Sequence, residues 1–530
     1  MEKFITTPII LADFYKQSHP SFYKDITGTH ATIVPRKSLR PGIDKCVVFG
    51  IQPFLKDLND TFNEKFFDLT EDEAILRFEN FNQKTGKVIP DSFSDRLRSL
   101  HKLGYLPVKI KALKEGSMVG YNTPIATIGT TNEEFFWIAQ WLETWLSNQT
   151  WKAITTATTA YYLKRILNKY NKLTSDIEWI TDYSLHDFSA RGDAGVWDAA
   201  VVGAAHCLFS KGSDTCWVVD FVDYYYAGDN GLILTSVPAS EHCAEESHLD
   251  PLTYDPRQCD TLYTQHTLDT FPTGIVSQVS DGFDYYGFLE FILPQFKDQI
   301  MARDGKFVIR PDSSPKTPVE VITGDPDAPK GSIENMGTLR YLYNLFGGTI
   351  NSKGYIDLDP HIGLIYGEGW DFQRYEKVLS NMMEQGFSSN NLVIGVGSGM
   401  YQAYGGGLYE TDNAKPWGVS RDTCGIAIKA TAVASGFGEN QKWKAVFKDP
   451  KTDNSGKKSH KGFIQVEQID NDFIVHQEVS DLWDINIKTV EDLVKFGEKP
   501  SNDAMDIVYL NGQILRHQSF ADVRAELAKF

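Results

Sequence analysis

The sequence predicts an α/β protein: an irregular (β/α) barrel with an accessory α+β domain supplied by both ends of the chain. Two observations carry the barrel. From about residue 180 onward, short apolar runs each end in Gly, Ser, Asp, His or Arg: "WITDYSLHDFSARGD", "LILTSVPASEH", "IVSQVSDGFD", "FVIRPDSS", "IGLIYGEGW" and "LVIGVGSGM". Helical segments lie between several of them, and strand–loop–helix units of this sort build a parallel sheet. Six or more units with polar strand ends favour a barrel, whose active site gathers at those C-terminal ends, over a doubly wound open sheet. The third observation is a change of rhythm on either side of this region, where apolar and polar residues alternate as in hairpins. The expected division is an accessory domain over residues 1–180, completed by 431–530, and a catalytic barrel over 181–430.

Composition narrows the partners. The 530 residues carry 52 Lys and Arg against 70 Asp and Glu, a net charge of −18. That field repels nucleic acid and acidic membranes, so neither is an expected partner, and an anionic substrate needs a local basic cluster. Six scattered cysteines without a C-x-x-C pair argue against a zinc ribbon or a disulfide scaffold and for reduced thiols. The opening "MEKFITTPIILADFYK" is too short and too polar for a signal peptide. No stretch approaches the ~18 apolar residues of a membrane helix. A cytoplasmic protein is the expectation.

In chain order, "YLPVKIKALKEGSMVGYNTPIATIG" (105–129) alternates as hairpin strands do. "TNEEFFWIAQWLETWL" (131–146) opens with Thr131 and Glu134 at capping-box spacing, and Phe135, Ile138, Leu142 and Trp145 give the helix one apolar face. Leu232-Ile233-Leu234 reads as a buried strand whose rim carries Ser236, Glu241 and His242. Residues 371–386 form a helix buried through Phe372, Tyr375, Val378, Leu379, Met382 and Met383, with Gly386 as its stop. "FIQVEQIDNDFIV" (463–475) and "IVYLNGQIL" (507–515) are hairpins, the second turning at Asn511-Gly512.

A barrel brings the strand-end residues His186, Asp187, Arg191, Asp214, Ser236, His242, Asp281, Arg310, Asp312 and Glu368 to one face. Taken singly, each is as well explained by a hydrogen-bonded structural role; the convergence is the signal. Arg191 and Arg310 facing one pocket suit a phosphate or pyrophosphate. The glycine-rich turn "GVGSGMYQ" (395–402) lets backbone N–H groups approach a phosphate, although it matches neither G-x-G-x-x-G nor a Walker A sequence. The lysines of 447–462 are either a solvated loop or a phosphate-capturing one. "EHCAEESH" (241–248) does not match H-E-x-x-H, which disfavours a metallohydrolase. No metal-ligating set is singled out.

Eight ordered motifs then identify a resemblance that runs nearly end to end: "LADFYK" (11–16), "LHDFSARG" (185–192), "KGSDT" (211–215), "SVPASEH" (236–242), "VSDGFD" (279–284), "IRPDS" (309–313), "YGEG" (366–369) and "VFKDP" (446–450). The chain resembles the nicotinamide phosphoribosyltransferases, type II phosphoribosyltransferases of NAD salvage. The resemblance implies an irregular α/β barrel with an accessory domain. It also implies transfer from 5-phosphoribosyl-1-pyrophosphate to nicotinamide with Mg²⁺, and ATP as an activating co-substrate. It makes His242 the histidine that ATP phosphorylates, and groups Asp281, Arg310 and Asp312 with it as catalytic. Asp214 looks like the acceptor of the nicotinamide amide N–H, and Ser236 is counted among the substrate-binding residues. Phe188 and, from a second subunit, Tyr15 resemble the aromatic sandwich around the pyridine, so a homodimer with shared sites is implied. Arg191 fits a substrate contact, Gly367 and Glu368 the ribose hydroxyls, and Gly397, Ser398 and Arg421 the 5′-phosphate. Arg36, Lys429 and Lys448 resemble pyrophosphate contacts. Glu368 stands where the family has Asp, Ser398 where a second glycine is usual, and "YGGGLYETDNAKPW" (404–417) is an insertion. The alternatives are a nicotinate-specific enzyme and an inactive nucleotide-binding homologue.

Overall fold

A computed structural model describes the chain except residues 1–3, 227–230, 314–315, 368, 404–417, 453–457 and 481. The chain divides into two compact units. One comprises Met1–Thr158, Val222–Asp229 and Ser420–Phe530; the other comprises Thr159–Phe221 and Asn230–Val419.

The first unit is α+β. Its seven-stranded sheet runs in the order Lys442–Ala445, Ile426–Ser435, Gly28–Pro35, Ala126–Thr130, Val108–Ala112, Asp506–Leu510, Gln513–Ile514, every neighbour antiparallel. Strands near both chain ends therefore share one sheet. The expected hairpins form: Gln465–Ile469 pairs with Asp472–His476, and Asn511 and Gly512 turn the last one at φ 48° and 83°. Both central residues have positive φ, the geometry that matches strand twist in a two-residue turn. Phe54, Leu58 and Phe62 of helix Ile51–Phe62, Phe78 of helix Glu71–Lys84, and Phe135, Ile138, Leu142 and Trp145 share one core. The start of that last segment differs from expectation. Asn132 rather than Thr131 caps it, because the Thr131 hydroxyl is engaged with Asn511 Oδ1 at 2.6 Å.

Within this unit Lys111 Nζ bonds Asp484 Oδ1 at 2.9 Å and Asp503 Oδ2 at 2.8 Å, with all three side chains at most 5% exposed. Burial pushes the Asp484 carboxyl up, but the charges of Lys109 and Lys111 outweigh it and hold it below the usual carboxylate range. Removing Lys111 leaves two buried carboxylates without their shared counter-ion. Lys111→Ala is therefore expected to lower the unfolding free energy by about 3–5 kcal/mol, read by denaturant titration.

The second unit is the barrel. Six parallel strands run in the order Gly212–Ser213, Leu185–Asp187, Val393–Val396, Ile362–Tyr366, Asp304–Arg310, Thr273–Val279. Residues 232–234, expected as a strand, are irregular chain without a ladder, and Leu232 is half exposed. The same segment nonetheless reaches both open edges of the sheet. Thr235 bridges Gly212, and Ala239 bridges Ser277. Four main-chain bonds serve these bridges: Thr235 N–H to Lys211 O at 2.6 Å, Ser213 N–H to Thr235 O at 3.2 Å, Ser277 N–H to Pro238 O at 2.9 Å and Ser240 N–H to Ser277 O at 3.0 Å. The ring closes with seven staves, one irregular, as expected for an irregular (β/α) barrel. Helix Phe372–Glu384 buries Phe372, Tyr375, Val378, Leu379 and Met382, leaves Met383 partly exposed, and is followed by Gly386 at φ 80°.

Candidate active site at the barrel rim

Because the six strands are parallel, their C-terminal ends share one rim, and the predicted residues are the ends. Asp187 and Arg310 close their strands; Asp214, Asp281, Gly367 and Gly397 follow the others by one or two residues. Asp187 is fully buried and organises the first part of the rim. Its Oδ1 accepts from the Ser189 N–H at 3.0 Å and hydroxyl at 2.7 Å; its Oδ2 accepts from Ser213 Oγ at 3.2 Å and Thr215 Oγ1 at 2.7 Å. One carboxylate thus ties the loop bearing Phe188 and Arg191 to the loop bearing Asp214. Phe188 lies 4.7 Å from the His186 ring, tilted by 41°. Arg191 is exposed and has no carboxylate within 4.0 Å among the described residues.

Asp214 Oδ1 accepts from His186 Nε2 at 3.0 Å and Ser236 Oγ at 2.5 Å, while Oδ2 accepts nothing among the described residues. Burial raises the Asp214 pKa, but the bonds from His186 and Ser236 and the charges of His186 and Arg310 outweigh it and bring it below the ordinary value. Gly212 makes room for this arrangement, since a Cβ there would fall 2.9 Å from His186 Nδ1.

Across the rim, His242 Nε2 is 3.2 Å from Asp281 Oδ1. A carboxylate only accepts, so neutral His242 carries its proton on Nε2 and presents the Nδ1 lone pair. Asp281 Oδ2 takes the Asp312 N–H at 3.0 Å and both the N–H and hydroxyl of Ser313 at 2.6 Å. Arg310 donates from Nη1 to Asp312 Oδ2 at 3.2 Å and from Nη2 to Ser240 O at 2.5 Å; its buried Nε has no acceptor among the described residues. Burial moves the Asp312 carboxyl upward, opposed by Arg310 and reinforced by Asp281, with His242 and Arg191 also pulling it down. Asp312 packs directly on Gly367, where a Cβ would meet Oδ1 at 2.0 Å.

The glycine-rich turn completes the rim. Neither Gly397 nor Ser398 has positive φ, so the serine brings no backbone strain. Its hydroxyl occupies the space over Gly192, where a Cβ would lie 2.1 Å from Ser398 Oγ. Tyr401 and Gln402 anchor the turn, through His206 Nδ1 at 2.7 Å and through Asp193 and Asp198 at 2.6 and 2.8 Å. Glu368 lies outside the described residues.

The remaining predicted residues belong to the other unit. Tyr15 is 58% exposed beside His19. Arg36 Nε donates to Gly425 O at 3.1 Å. Lys429 bonds Glu143 at 3.1 Å, and Lys16 shares that carboxylate. Arg421 is 3.6 Å from Asp422, and the exposed Lys448 donates its N–H to Ser459 Oγ. Of the other loop lysines, Lys458 and Lys461 are paired with Asp449 and Glu478, and Lys457 lies outside the described residues.

Sequence reasoning listed His186 and Asp187 among the strand ends without giving either a task, and passed over Ser240 and Ser313. All four lie inside the quoted motifs, which was the available signal.

The profile of the nicotinate phosphoribosyltransferase (NAPRTase) family matches residues 183–481. The chain is 35% identical over 547 residues to the nicotinamide phosphoribosyltransferase of Acinetobacter baylyi, across 99% of this chain and 98% of that protein. It is 30% identical over 522 residues to the nicotinamide phosphoribosyltransferase of Xanthomonas campestris pv. campestris, across 98% and 97%. Its fold resembles nicotinate-nucleotide pyrophosphorylase from Pyrococcus furiosus (TM-score 0.55, 12% identity, 100% of this chain and 98% of that one). It also resembles human nicotinic acid phosphoribosyltransferase (TM-score 0.51, 12% identity, 99% and 93%). At that identity the likeness concerns the fold alone.

Proposed function

The chain belongs to the nicotinate phosphoribosyltransferase (NAPRTase) family, and from that premise we propose that it is a nicotinamide phosphoribosyltransferase. It joins nicotinamide to 5-phosphoribosyl-1-pyrophosphate, giving nicotinamide mononucleotide and pyrophosphate in NAD salvage. The observation that carries this reading is Asp214, held ionised with one oxygen taken by His186 and Ser236 and the other uncommitted. An amide N–H can donate to that oxygen. The carboxylate of nicotinate would meet a like charge there, at a cost that discriminates.

Phe188 covers one face of the pyridine, and the exposed Tyr15 of a second subunit covers the other, so the working unit is a cytoplasmic homodimer. Offset stacking holds the ring with its nitrogen toward the ribose. The ring nitrogen bonds to C1 as the C1–O bond to pyrophosphate breaks, and the departing electron pair leaves with pyrophosphate. No proton need move in this step, so positioning and charge stabilisation carry the rate. Arg310, whose side chain is 14% exposed, and Arg191 meet the phosphate charge. Asp312 and the Gly367-Glu368 pair take the ribose hydroxyls; Gly397, Ser398 and Arg421 take the 5′-phosphate. Arg36, Lys429 and Lys448 receive pyrophosphate, Lys429 by exchanging Glu143 for it.

Mg²⁺ would come with the pyrophosphate, as part of the substrate, and would supply charge neutralisation there. ATP is a second substrate: His242 Nδ1 bonds to the γ-phosphorus, ADP departs, and Asp281 holds the Nε2 proton throughout.

Pyrophosphate release from wild type and Asp214→Asn, with each pyridine, tests the assignment. Nicotinamide is expected to be preferred by about a hundredfold in kcat/KM, and the preference to shrink to within tenfold in the variant. Equal or faster turnover of nicotinate by the wild type would overturn the substrate; no turnover of either would favour a binding-only protein.

A further inference from the structure

The acidic stretch after His242 has no part in that chemistry, yet its first carboxyl is buried. Glu245 lies on the short helix His242–Glu246 and is 1% exposed. It packs on Gly282, the residue after Asp281, where a Cβ would come within 2.3 Å of its Oε2. Asp260, from helix Pro256–Thr270, is 5% exposed and within hydrogen-bond reach of Glu245. Two ionised carboxylates offer only acceptors. Glu245 Oε2 and Asp260 Oδ1 are both buried and neither meets a donor among the described residues. The titratable groups around the pair are Asp281 and Asp284 from the loop after strand Thr273–Val279, Cys259 and Tyr263 from Asp260's own helix, Glu246 beside Glu245, and His248, which meets Ala244 O at 2.9 Å and lies 5.4 Å from the Tyr263 ring. Arg310 acts on Tyr263 but is committed to Asp312 and Ser240 O, and the charges that act on the two carboxyls themselves are those of Asp281 and Asp284 and of each other.

A single proton between the two carboxyls gives the pair the donor it lacks and removes one of two like charges from a buried place. We propose that Glu245 and Asp260 share one proton and act together as positioning residues, holding His242 and Asp281 in register. This rests on the transfer reaction proposed above. The pair joins three elements: Glu245 is one turn from His242, Gly282 is next to Asp281, and the helix bearing Asp260 is tied to the His242 turn, with Cys259 Sγ donating to Glu245 O at 3.1 Å. Loss of the proton sets two buried carboxylates against each other and against Asp281, and so parts the His242 turn from its partner.

Burial, the bond to Asp260 and the charges of Asp260 and Asp281 push the Glu245 carboxyl up, to about 9. Burial also raises Asp260, against the bond from Glu245 and with the charge of Asp284. The folded protein thus binds this proton more tightly than the unfolded chain. Its contribution to stability is fully present below the unfolded carboxylate range and is lost as pH rises through about 9.

The experiment follows kcat, KM and melting temperature against pH in the full chain, for wild type, Glu245→Gln and Asp260→Asn. In wild type, kcat is expected to fall about tenfold between about pH 7 and about pH 10, tracking the protonated fraction, with KM changing less. The melting temperature declines over the same interval. Glu245→Gln cannot lose a proton and its amide N–H donates to Asp260, so both declines flatten; Asp260→Asn flattens them likewise. Should one variant fail to fold, the other carries the comparison. Superimposable profiles in wild type and variant overturn the proposal while leaving the reaction in place. A protein inert toward both pyridines, whose melting profile still flattens on substitution, overturns the reaction and leaves the shared proton standing.

Discussion

Arg310→Ala is expected to lower kcat/KM for phosphoribosyl transfer by about a thousandfold, the scale on which loss of a fixed, charge-stabilising donor is felt. Two losses combine. The phosphate charge proposed to lie there loses a fixed guanidinium, and Asp312 is left without its 3.2 Å partner in a place where burial already favours its neutral form. Arg310→Lys separates them. It restores a charge near Asp312 but not the planar fork that also reaches Ser240 O, so it recovers only part of the rate. Pyrophosphate release with nicotinamide reads both variants. An Arg310→Lys enzyme as fast as wild type would mean that charge alone matters there.

Asp187→Ala is expected to weaken both structure and activity. Four donors converge on this fully buried carboxylate, and an acceptor removed from beneath them leaves each to find another. A buried polar group left unsatisfied costs about 1–3 kcal/mol, and partial rescue by local rearrangement brings the expected loss of unfolding free energy to about 3–5 kcal/mol. Because the Phe188 and Asp214 loops lose their common anchor, the rate falls further than stability alone accounts for, by about a hundredfold under conditions where the variant is folded. Asp187→Asn is the milder change. The hydroxyls of Ser189, Ser213 and Thr215 can turn from donating to accepting and so receive the new amide, whereas the Ser189 N–H cannot turn. Denaturant unfolding and single-substrate kinetics on both variants measure the two effects; an alanine variant with wild-type stability would refute the anchoring role.

Asp187 also marks where the sequence stopped being legible. Local signals with a fixed period or spacing were read correctly: the Asn511-Gly512 turn, the buried face of Phe372–Glu384, and the polar ends of successive apolar runs. Those ends placed most of the rim, because a parallel sheet turns strand-end position into shared location. Roles set by partners distant in sequence were not legible. Nothing in "LHDFSARG" says that Asp187 will meet Ser213 and Thr215, and nothing in "EHCAEESH" says that Glu245 will meet Asp260. The misread elements share a cause. Thr131 had cap spacing but was claimed by Asn511 Oδ1, and Leu232-Ile233-Leu234 had strand composition but lies where the barrel is pinned at two points rather than laddered.

That pinning bears on kinetics. The stave that ends in Ser236 and His242 is held by two bridges, whereas strand Thr273–Val279 pairs along its whole length with Asp304–Arg310. Separating the stave from the barrel breaks few main-chain bonds, so its amides are expected to exchange with deuterated solvent through local opening, well below the free energy of global unfolding. His242, the proposed phosphate acceptor, thus rides on a stave pinned to the closed cylinder at two points. A bound ligand that spans the seam from Asp214 to Arg310 would suture it, and slow that exchange before any chemistry occurs.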